Sequence, residues 1–251
     1  GDCAWLIFWA LTLRLWPSVT ILVTSWQVNL TMSDKLFADY TVMQFAKAPF
    51  KGEVKTRMAP ALSEDECVDL HCTLTRHAWN VIDRARLCRH ELWVGSEPDH
   101  AFFKTLISDS DCGLQKQAGA DLGARLTCAF HYLLGDSSDA SVKGAIVVGS
   151  DCPFLDAHYY RQALDALSGD ADIVLGPALD GGYVLLGMKV FTPSLFDDIP
   201  WGGPRVYDET RKRIKALDLF CVELPALADI DEPADLCLLA DKKLPHELRQ
   251  F

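Results

Sequence analysis

The chain has 251 residues, of which 49% are hydrophobic and 24% are charged, as in an ordinary folded protein. Its 24 lysines and arginines are outnumbered by 35 aspartates and glutamates, which gives a formal net charge of −11. Because a DNA or RNA surface would repel this charge, the composition argues against a nucleic-acid partner but not against a small phosphorylated ligand in a local positive pocket.

Residues 1–33 are predicted to form an apolar N-terminal extension. The apolar run from Cys3 is interrupted at Arg14 and Pro17, before it reaches the roughly twenty residues that a membrane-spanning helix needs. A signal peptide begins with basic residues, whereas this segment begins Gly-Asp. We expect a non-native or mis-assigned extension and no membrane partner, with a membrane or export segment and an extra packed element as alternatives.

Residues 34–251 are predicted to form a single domain in which strands and helices alternate. The patterns predict strands at 40–46, 90–94, 145–148, 173–175, 183–186 and 219–224, and helices after Ser63, at 100–107, 121–135, around 160–167, near 204–217 and after Pro233. This alternation predicts an α/β fold, a three-layer αβα sandwich with a mostly parallel central sheet. Nine cysteines without a CxxC pair predict reduced thiols and a cytoplasmic location.

A basic loop follows the first predicted strand and contains Lys47, Lys51, Lys55 and Arg57. A strand, a loop of this kind and a helix can hold a phosphate, because backbone N–H groups and ammonium groups converge on the anion. The alternative is a solvated basic turn. Ligands of open α/β sheets bind beyond the carboxyl ends of the strands, which favours a binding loop.

Two carboxylates are candidate metal ligands. Asp151 directly follows the buried strand 145–148 and is expected to face a cleft, because burying an unpaired carboxylate costs several kcal/mol. The alternative is a helix N-cap, for which Asp156 is better placed. Asp231 lies among four acids before the last predicted helix, and capping accounts for only one of them. Oxygen ligands of this kind suit Mg²⁺ or Mn²⁺ together with substrate phosphates.

Five segments occur in a fixed order along the chain: FAKAPFKGEVKTR, QKQAGADLGARL, GSDCPFLD, GPALDGGYVLLGM and DIDEPADL. Together they resemble the bacterial family of nucleotide-diphospho-sugar transferase-like proteins with a GT-A fold, whose members are often described only as glycosyltransferases or domains of unknown function. That family is similar to 2-phospho-lactate guanylyltransferases and molybdenum-cofactor nucleotidyltransferases. The resemblance covers about residues 40–240, and it is more specific for the fold than for the reaction.

The resemblance implies a nucleotide lying over the basic loop. Its implied ligands are Ala46, Lys47, Lys55, Arg57, Gln117 and Gly119. The cations would lie near the phosphates and Gln117 near the base, and Gln115 is the alternative if the register shifts. The resemblance also implies that the turn at 180–183 faces the sugar or acceptor, through Gly181, Gly182 and Tyr183.

The catalytic residues predicted with this resemblance are Asp151, Lys55 and Asp180. Asp151 and Asp231 would hold the metal, Lys55 would neutralise charge on the departing phosphate, and Asp180 would orient or deprotonate an acceptor hydroxyl. The segment 150–152, Ser-Asp-Cys, has one carboxylate where many sugar transferases have a DxD pair. Metal affinity would therefore depend on Asp231 and on the phosphates of the substrate.

These observations predict a metal-dependent glycosyltransferase that acts from a nucleotide-sugar to a small acceptor. One alternative is a nucleotidyltransferase that releases pyrophosphate, which the lysine-rich loop mildly favours. A second alternative is a non-catalytic module that binds a nucleotide or a sugar phosphate. The sequence gives no indication of the oligomeric state.

Overall fold

Strands and helices alternate along the chain, and within the described residues the strands form one seven-stranded sheet. A computed structural model describes residues 35–108, 110, 112–136 and 138–251. The predicted extension 1–33 lies outside these residues, so the division of the chain at residue 33 stays a prediction. The strands are β1 (Phe37–Ala46), β2 (Cys88–Val94), β3 (Gly113–Lys116), β4 (Gly144–Val148), β5 (Ile173–Pro177), β6 (Tyr183–Met188) and β7 (Cys221–Glu223).

The five α-helices of the described residues all begin after a polar residue, and in four of them the side chain of that residue accepts a hydrogen bond from the first turn. They are α1 (Glu64–Ala85), α2 (Ala101–Leu106), α3 (Leu122–Leu134), α4 (Ala157–Ser168) and α5 (Val206–Ala216). Ser63 starts α1 through the predicted capping box with Glu66, and Asp156 is the N-cap of α4. Among the described residues, no helix combines the length and the apolar character needed to cross a membrane.

The last predicted helix differs in type, because Pro233–Ala240 is a 3₁₀ helix rather than an α-helix. Leu239 is the residue that it buries, so this segment has no apolar stripe with the α-helical period. Strand β3 was not predicted from the sequence. It has four residues, half-exposed or exposed, and therefore lacks the apolar alternation that indicates a strand.

Helices cover both faces of the sheet, as a three-layer αβα sandwich requires. On one face, α1 and α4 pack against Val42, Ile146 and Val174. On the other face, α3 and α5 pack against the neighbouring residues along the same strands, such as Met43 and Val147, because successive side chains of a strand point to opposite faces. The strand order is β3-β2-β1-β4-β6-β5-β7, and β6 alone among these strands runs antiparallel to its neighbours. The predicted α/β fold is confirmed.

The parallel register brings the carboxyl ends of β1, β2, β3 and β4 to one edge of the sheet. Gln44 of β1 lies opposite Val148 of β4, and Gln117 N donates a hydrogen bond to Val94 O at 2.8 Å. The basic loop after β1, the loop after β3 and the loop after β4 therefore emerge side by side.

Candidate functional site

A cleft of about 320 Å³ opens at this carboxyl edge. Its walls come from the end of β1, the basic loop, α1, the loop after β3, the start of α3, the loop after β4 and the segment at 231. The lining residues are Phe45, Ala46, Lys47, Val54, Lys55, His71, Gln117, Leu122, Arg125, Gly149, Ser150, Asp151 and Asp231. The cleft thus combines the cationic loop with both predicted metal ligands.

Lys55 is a buried cation in this cleft, with a side chain only 3% exposed. Its Nζ lies 2.5 Å from Asp151 Oδ1 and donates a hydrogen bond to Ile230 O at 2.5 Å. The backbone of Lys55 has φ 51°, in the left-handed region. This conformation costs a non-glycine residue about 1–2 kcal/mol, and the ion pair and hydrogen bond help to offset that cost.

Asp151 is reached from β4 through Gly149 and Ser150. Ile230 N donates to Asp151 O at 2.9 Å, which fixes the backbone of the two segments together. Burial tends to raise the pKa of the Asp151 carboxyl, but the Lys55 ammonium outweighs this and holds that pKa below its usual value. Asp151 is therefore an anion. Its Oδ1 is buried against Lys55, whereas the side chain as a whole remains 48% exposed.

Asp231 faces the same ammonium group, with Oδ1 3.9 Å from Lys55 Nζ. Its other oxygen accepts a hydrogen bond from Arg57 Nη1 at 2.7 Å. Arg57 is largely exposed and does not line the cleft. Asp235 caps the turn by accepting from the backbone N–H groups of Asp231 and Glu232. Glu232 and Asp235 form a capping box, so two of the four acids have a capping role, one more than the sequence suggested.

The donor set of Asp151 and Asp231 fits a divalent cation. Both carboxylates approach one point that already attracts the Lys55 ammonium, and hard cations such as Mg²⁺ and Mn²⁺ prefer oxygen ligands. The Lys55 ammonium occupies Oδ1 of Asp151. A metal would therefore bind the other oxygen of that carboxylate and would complete its coordination with oxygens of the substrate. Metal binding at these residues stays a prediction.

Gln117, and not Gln115, is the glutamine that lines the cleft. The side-chain amide of Gln117 is buried and donates to Trp93 O at 2.7 Å. Gln115 lies on edge strand β3 and donates to the Tyr132 hydroxyl at 3.1 Å. Gly119 has φ 138°, and a Cβ there would lie 2.6 Å from Arg125 N. Glycine is therefore required for the loop to approach α3.

The turn at 180–183 is shaped by its own hydrogen bonds. Asp180 is exposed, and its Oδ1 accepts from Gly182 N at 2.8 Å. The Tyr183 ring packs edge-on to Trp201, its hydroxyl is buried, and burial raises the pKa of Tyr183. These residues do not line the cleft. The predicted acceptor contacts of Gly181, Gly182 and Tyr183 stay predictions.

The comparison with protein families concerns the middle of the chain. The model of a family described as "Uncharacterized protein conserved in bacteria (DUF2064)" matches residues 79–203. This region belongs to the DUF2064 family. It contains Gln117, Asp151 and the turn at 180–183, whereas Lys55 precedes it and Asp231 follows it. No curated protein matches the sequence at a significant level.

Solved structures resemble the whole described fold. A protein of Desulfovibrio desulfuricans G20, provisionally named a nucleotide-diphospho-sugar transferase, is 27% identical with a TM-score of 0.74, covering 85% of this chain and 91% of that one. The 4-diphosphocytidyl-2C-methyl-D-erythritol synthase of Anaerococcus prevotii DSM 20548 is 9% identical, with a TM-score of 0.52 over 80% and 96% of the chains. A cytidylyltransferase of Leptospira borgpetersenii is also 9% identical, with a TM-score of 0.50 over 84% and 90%.

These comparisons confirm the predicted family resemblance and the predicted transferase class. The similarity to the Desulfovibrio protein extends over the DUF2064 region and both of its flanks, since it covers 85% of the chain. The likeness to the two cytidylyl enzymes, at 9% identity, concerns the fold alone.

Asp229 lies near the acidic residues of the cleft without lining it, and the sequence analysis did not single it out. Burial raises its pKa to about 6, and the charges of Asp180, Asp151 and Asp231 act in the same direction. Leu179 N donates to Leu227 O at 3.0 Å, so the turn from the DUF2064 region runs beside the segment 227–231. This pairing links the turn to the cleft, and no sequence spacing indicates it.

His71 and Arg125 were also missed, although both line the cleft. His71 Nε2 lies 2.9 Å from Lys47 O, and because a carbonyl can only accept, Nε2 carries the proton. Burial lowers the pKa of His71, so the ring is neutral and holds the start of the basic loop against α1. Arg125, in the DUF2064 region, donates through Nε to Gly119 O at 3.3 Å.

A buried network of hydrogen bonds supports the loop after β4. Gln44 donates to Ser150 Oγ at 2.9 Å and to Thr75 O at 3.0 Å, and Ser150 donates to Phe45 O at 2.8 Å. Gln44 lies inside a strand pattern, so its sequence position carries no signal of this role. These hydrogen bonds fix the backbone from which Asp151 projects.

Proposed function

We propose that the protein is a glycosyltransferase that binds a nucleotide-sugar together with a divalent cation. The observation that carries this proposal is the meeting of Lys55, Asp151 and Asp231 in one cleft at the carboxyl edge of the sheet. A nucleotide diphosphate carries several negative charges and needs cations from the protein and from a metal. The protein supplies a buried ammonium beside two carboxylates that suit the metal.

Each wall of the cleft has its own role in this proposal. Lys47 and Lys55 neutralise phosphate oxygens and the charge that develops on the leaving diphosphate. Gln117 offers its amide oxygen to the base, because its side-chain nitrogen donates to Trp93 O and Ala46 O. Asp151 and Asp231 would hold Mg²⁺ or Mn²⁺, and the ion would supply Lewis-acid stabilisation of the diphosphate.

The acidic groups beside the cleft support a hydroxyl-bearing sugar or acceptor. Carboxylates accept hydrogen bonds from hydroxyl groups, and Asp180 lies close enough to Asp229 for its charge to raise the pKa of Asp229. A carboxyl group with a pKa of about 6, as at Asp229, also suits proton transfer near neutral pH. This arrangement favours sugar transfer over nucleotidyl transfer.

Nucleotidyl transfer is the second candidate, and Arg125 is the observation that favours it. With Lys47 and Lys55 it adds a third basic side chain to the cleft lining. Three cations would suit a triphosphate and the departure of pyrophosphate, which is a more highly charged leaving group.

The test is to incubate the full chain with Mg²⁺ or Mn²⁺ and with labelled nucleotide-sugars or nucleoside triphosphates, with a panel of small hydroxyl acceptors. We expect sugar transfer with release of nucleoside diphosphate, and loss of this activity in Asp151→Asn. Asp165→Asn is the matched control, because Asp165 is exposed on α4 and pairs with Arg161.

Two other results would replace the proposal. Release of pyrophosphate without sugar transfer would establish nucleotidyl transfer. Ligand binding without turnover in any mixture, retained in Asp151→Asn, would indicate a non-catalytic binding module.

A further inference from the structure

A second group of potential metal ligands lies away from the cleft. Asp83 is in the last turn of α1, His90 is the third residue of β2, and Cys112 immediately precedes β3. We call these three residues the thiol–imidazole–carboxylate cluster. It lies near the beginning of β2 and β3, whereas the cleft lies at their carboxyl ends.

The three side chains bring their ligand atoms together. His90 Nε2 is 3.1 Å from Cys112 Sγ and 3.7 Å from Asp83 Oδ1. One ligand atom from each residue lies within 4.8 Å of the other two. Three different elements of the fold therefore contribute to one point.

The imidazole at the centre of the cluster is held firmly. The His90 side chain is 5% exposed, and its ring centroid lies 4.4 Å from that of Trp79 on α1. A buried ring packed in this way loses little additional freedom when it binds an ion. Asp83 is partly exposed, which leaves an entry path for an ion from solvent.

The spacing agrees with a small tetrahedral site. Zinc lies about 2.3 Å from sulfur and about 2.0–2.1 Å from nitrogen, so neighbouring ligand atoms are about 3.5 Å apart. The two distances from His90 Nε2 to sulfur and oxygen, 3.1 and 3.7 Å, lie on either side of this value. Cys112 Sγ is also 3.4 Å from His90 Nδ1, so the sulfur lies against the ring, and binding an ion requires the Cys112 side chain to turn towards the lone pair of Nε2.

The geometry points to a Zn²⁺ site formed by Asp83, His90 and Cys112. Thiolate and imidazole ligands select zinc over Mg²⁺ and Ca²⁺, which distinguishes the cluster from the oxygen ligands of the cleft. Three protein ligands leave one tetrahedral position for water. Binding displaces the Cys112 thiol proton to solvent and involves no redox change.

The consequence of this site is mechanical. The ion joins α1 to β2 and to the segment that enters β3, an edge strand of four residues. Strand β3 leads directly to Gln117 in the cleft. An ion that binds the folded chain stabilises it according to its free concentration and affinity, so Zn²⁺ raises the unfolding temperature.

The test uses the full chain after metal removal and titrates it with Zn²⁺ and, separately, with Co²⁺. We expect one equivalent of Co²⁺ to bind with tetrahedral d–d absorption and a thiolate-to-cobalt charge-transfer band, which an ion on the oxygen ligands of the cleft would not give. Changing an outer-shell partner of a zinc ligand weakens binding by about 10–100-fold, so loss of a direct ligand in Cys112→Ser should weaken it by more than about 100-fold. Asp83→Asn should weaken it by at least about tenfold.

Matched controls separate this cluster from other thiols and acids. Cys128→Ser changes an exposed cysteine on α3, and Asp69→Asn changes an exposed acid on α1, so both should bind as the wild type does. No binding by the wild-type chain, or a charge-transfer band that persists in Cys112→Ser, would overturn the proposal. The band is read on the wild type and does not depend on any variant folding.

Discussion

At the scale of single residues, Lys55 brings a positive charge into the cleft before any ligand arrives. Its ammonium is buried against Asp151 and Ile230 O, and leaving such a charge without partners would cost several kcal/mol. The ion pair with Asp151 and the hydrogen bond to Ile230 O therefore hold the Lys55 side chain in this position. Phosphate oxygens entering the cleft meet a cation whose desolvation has already taken place during folding.

Lys55→Met should weaken nucleotide binding. A hydrogen bond to a charged group contributes about 1.5–3 kcal/mol, which corresponds to a loss of roughly 10–150-fold in affinity. Isothermal titration calorimetry with nucleoside diphosphates in the presence of Mg²⁺ measures the dissociation constant of each variant. Lys51→Met is the control, because Lys51 is on the same loop but is exposed and pairs with Asp65. Equal losses in both variants would contradict a direct role for Lys55.

Gly181→Ala should destabilise the protein more than Gly202→Ala. Both glycines have positive φ, 93° and 78°, but a Cβ at Gly181 would lie 2.1 Å from Pro204 O, whereas one at Gly202 meets no atom within 4 Å. We expect about 1 kcal/mol of backbone strain at Gly202 and a further 1–3 kcal/mol, roughly, at Gly181. Urea unfolding compares them, and equal effects would mean that the Pro204 contact adjusts freely.

At the scale of elements, α1 joins the two halves of the site. Through His71 it holds the basic loop, and through His77 it contacts the loop after β4, since His77 Nε2 lies 2.9 Å from Pro153 O. The carbonyl can only accept, so Nε2 of His77 carries the proton. Burial lowers the pKa of His77, and docking of α1 therefore favours the neutral ring.

The free energy of unfolding should decrease as the pH falls below about 6.5, the ordinary pKa of histidine. The folded pKa of His77 is lower than the unfolded one, so in this range the unfolded chain binds more protons and stability falls. In His77→Gln, whose amide can still donate to Pro153 O, the decrease should be smaller. Urea unfolding at several pH values measures the slope. His158→Gln, on the exposed surface of α4, should leave it unchanged.

At the scale of the whole molecule, the core contains ionisable groups that folding keeps neutral. Cys88 and Cys152 are both buried in the core between the sheet and the helices α1 and α4. Burial raises the pKa of each thiol from 9.0 to about 12. Global unfolding exposes both thiols and returns each pKa towards 9, so the free energy of unfolding changes with pH in the alkaline range.

The free energy of unfolding should fall as the pH rises above about 9. The unfolded chain then loses thiol protons that the folded chain keeps, which amounts to about 1 kcal/mol per thiol between pH 9 and 10. Either Cys88→Ala or Cys152→Ala should reduce this slope, and Cys128→Ala, at an exposed position, should not. Identical slopes in all three variants would show that other groups control the alkaline response.

The sequence by itself determined most of the elements and identified several of the residues that line the cleft. Apolar periodicity and caps indicated α1, α3, α4 and the central strands, because these signals are local. The cations of the basic loop and the carboxylate after β4 were identifiable for the same reason. Edge strand β3 escaped prediction because its stability comes from pairing with β2 rather than from its own apolar pattern.

Only the tertiary structure decided which of these residues meet. Lys55 pairs with Asp151 and Ile230 because the loop after β1, the loop after β4 and the segment at 230 converge, and no local spacing encodes that convergence. The same holds for the choice of Gln117 over Gln115, for Asp229 beside Asp180, and for Asp83 beside Cys112. Sequence patterns report short-range preferences, whereas these contacts depend on strand order and register, which are set by the packing of the whole chain.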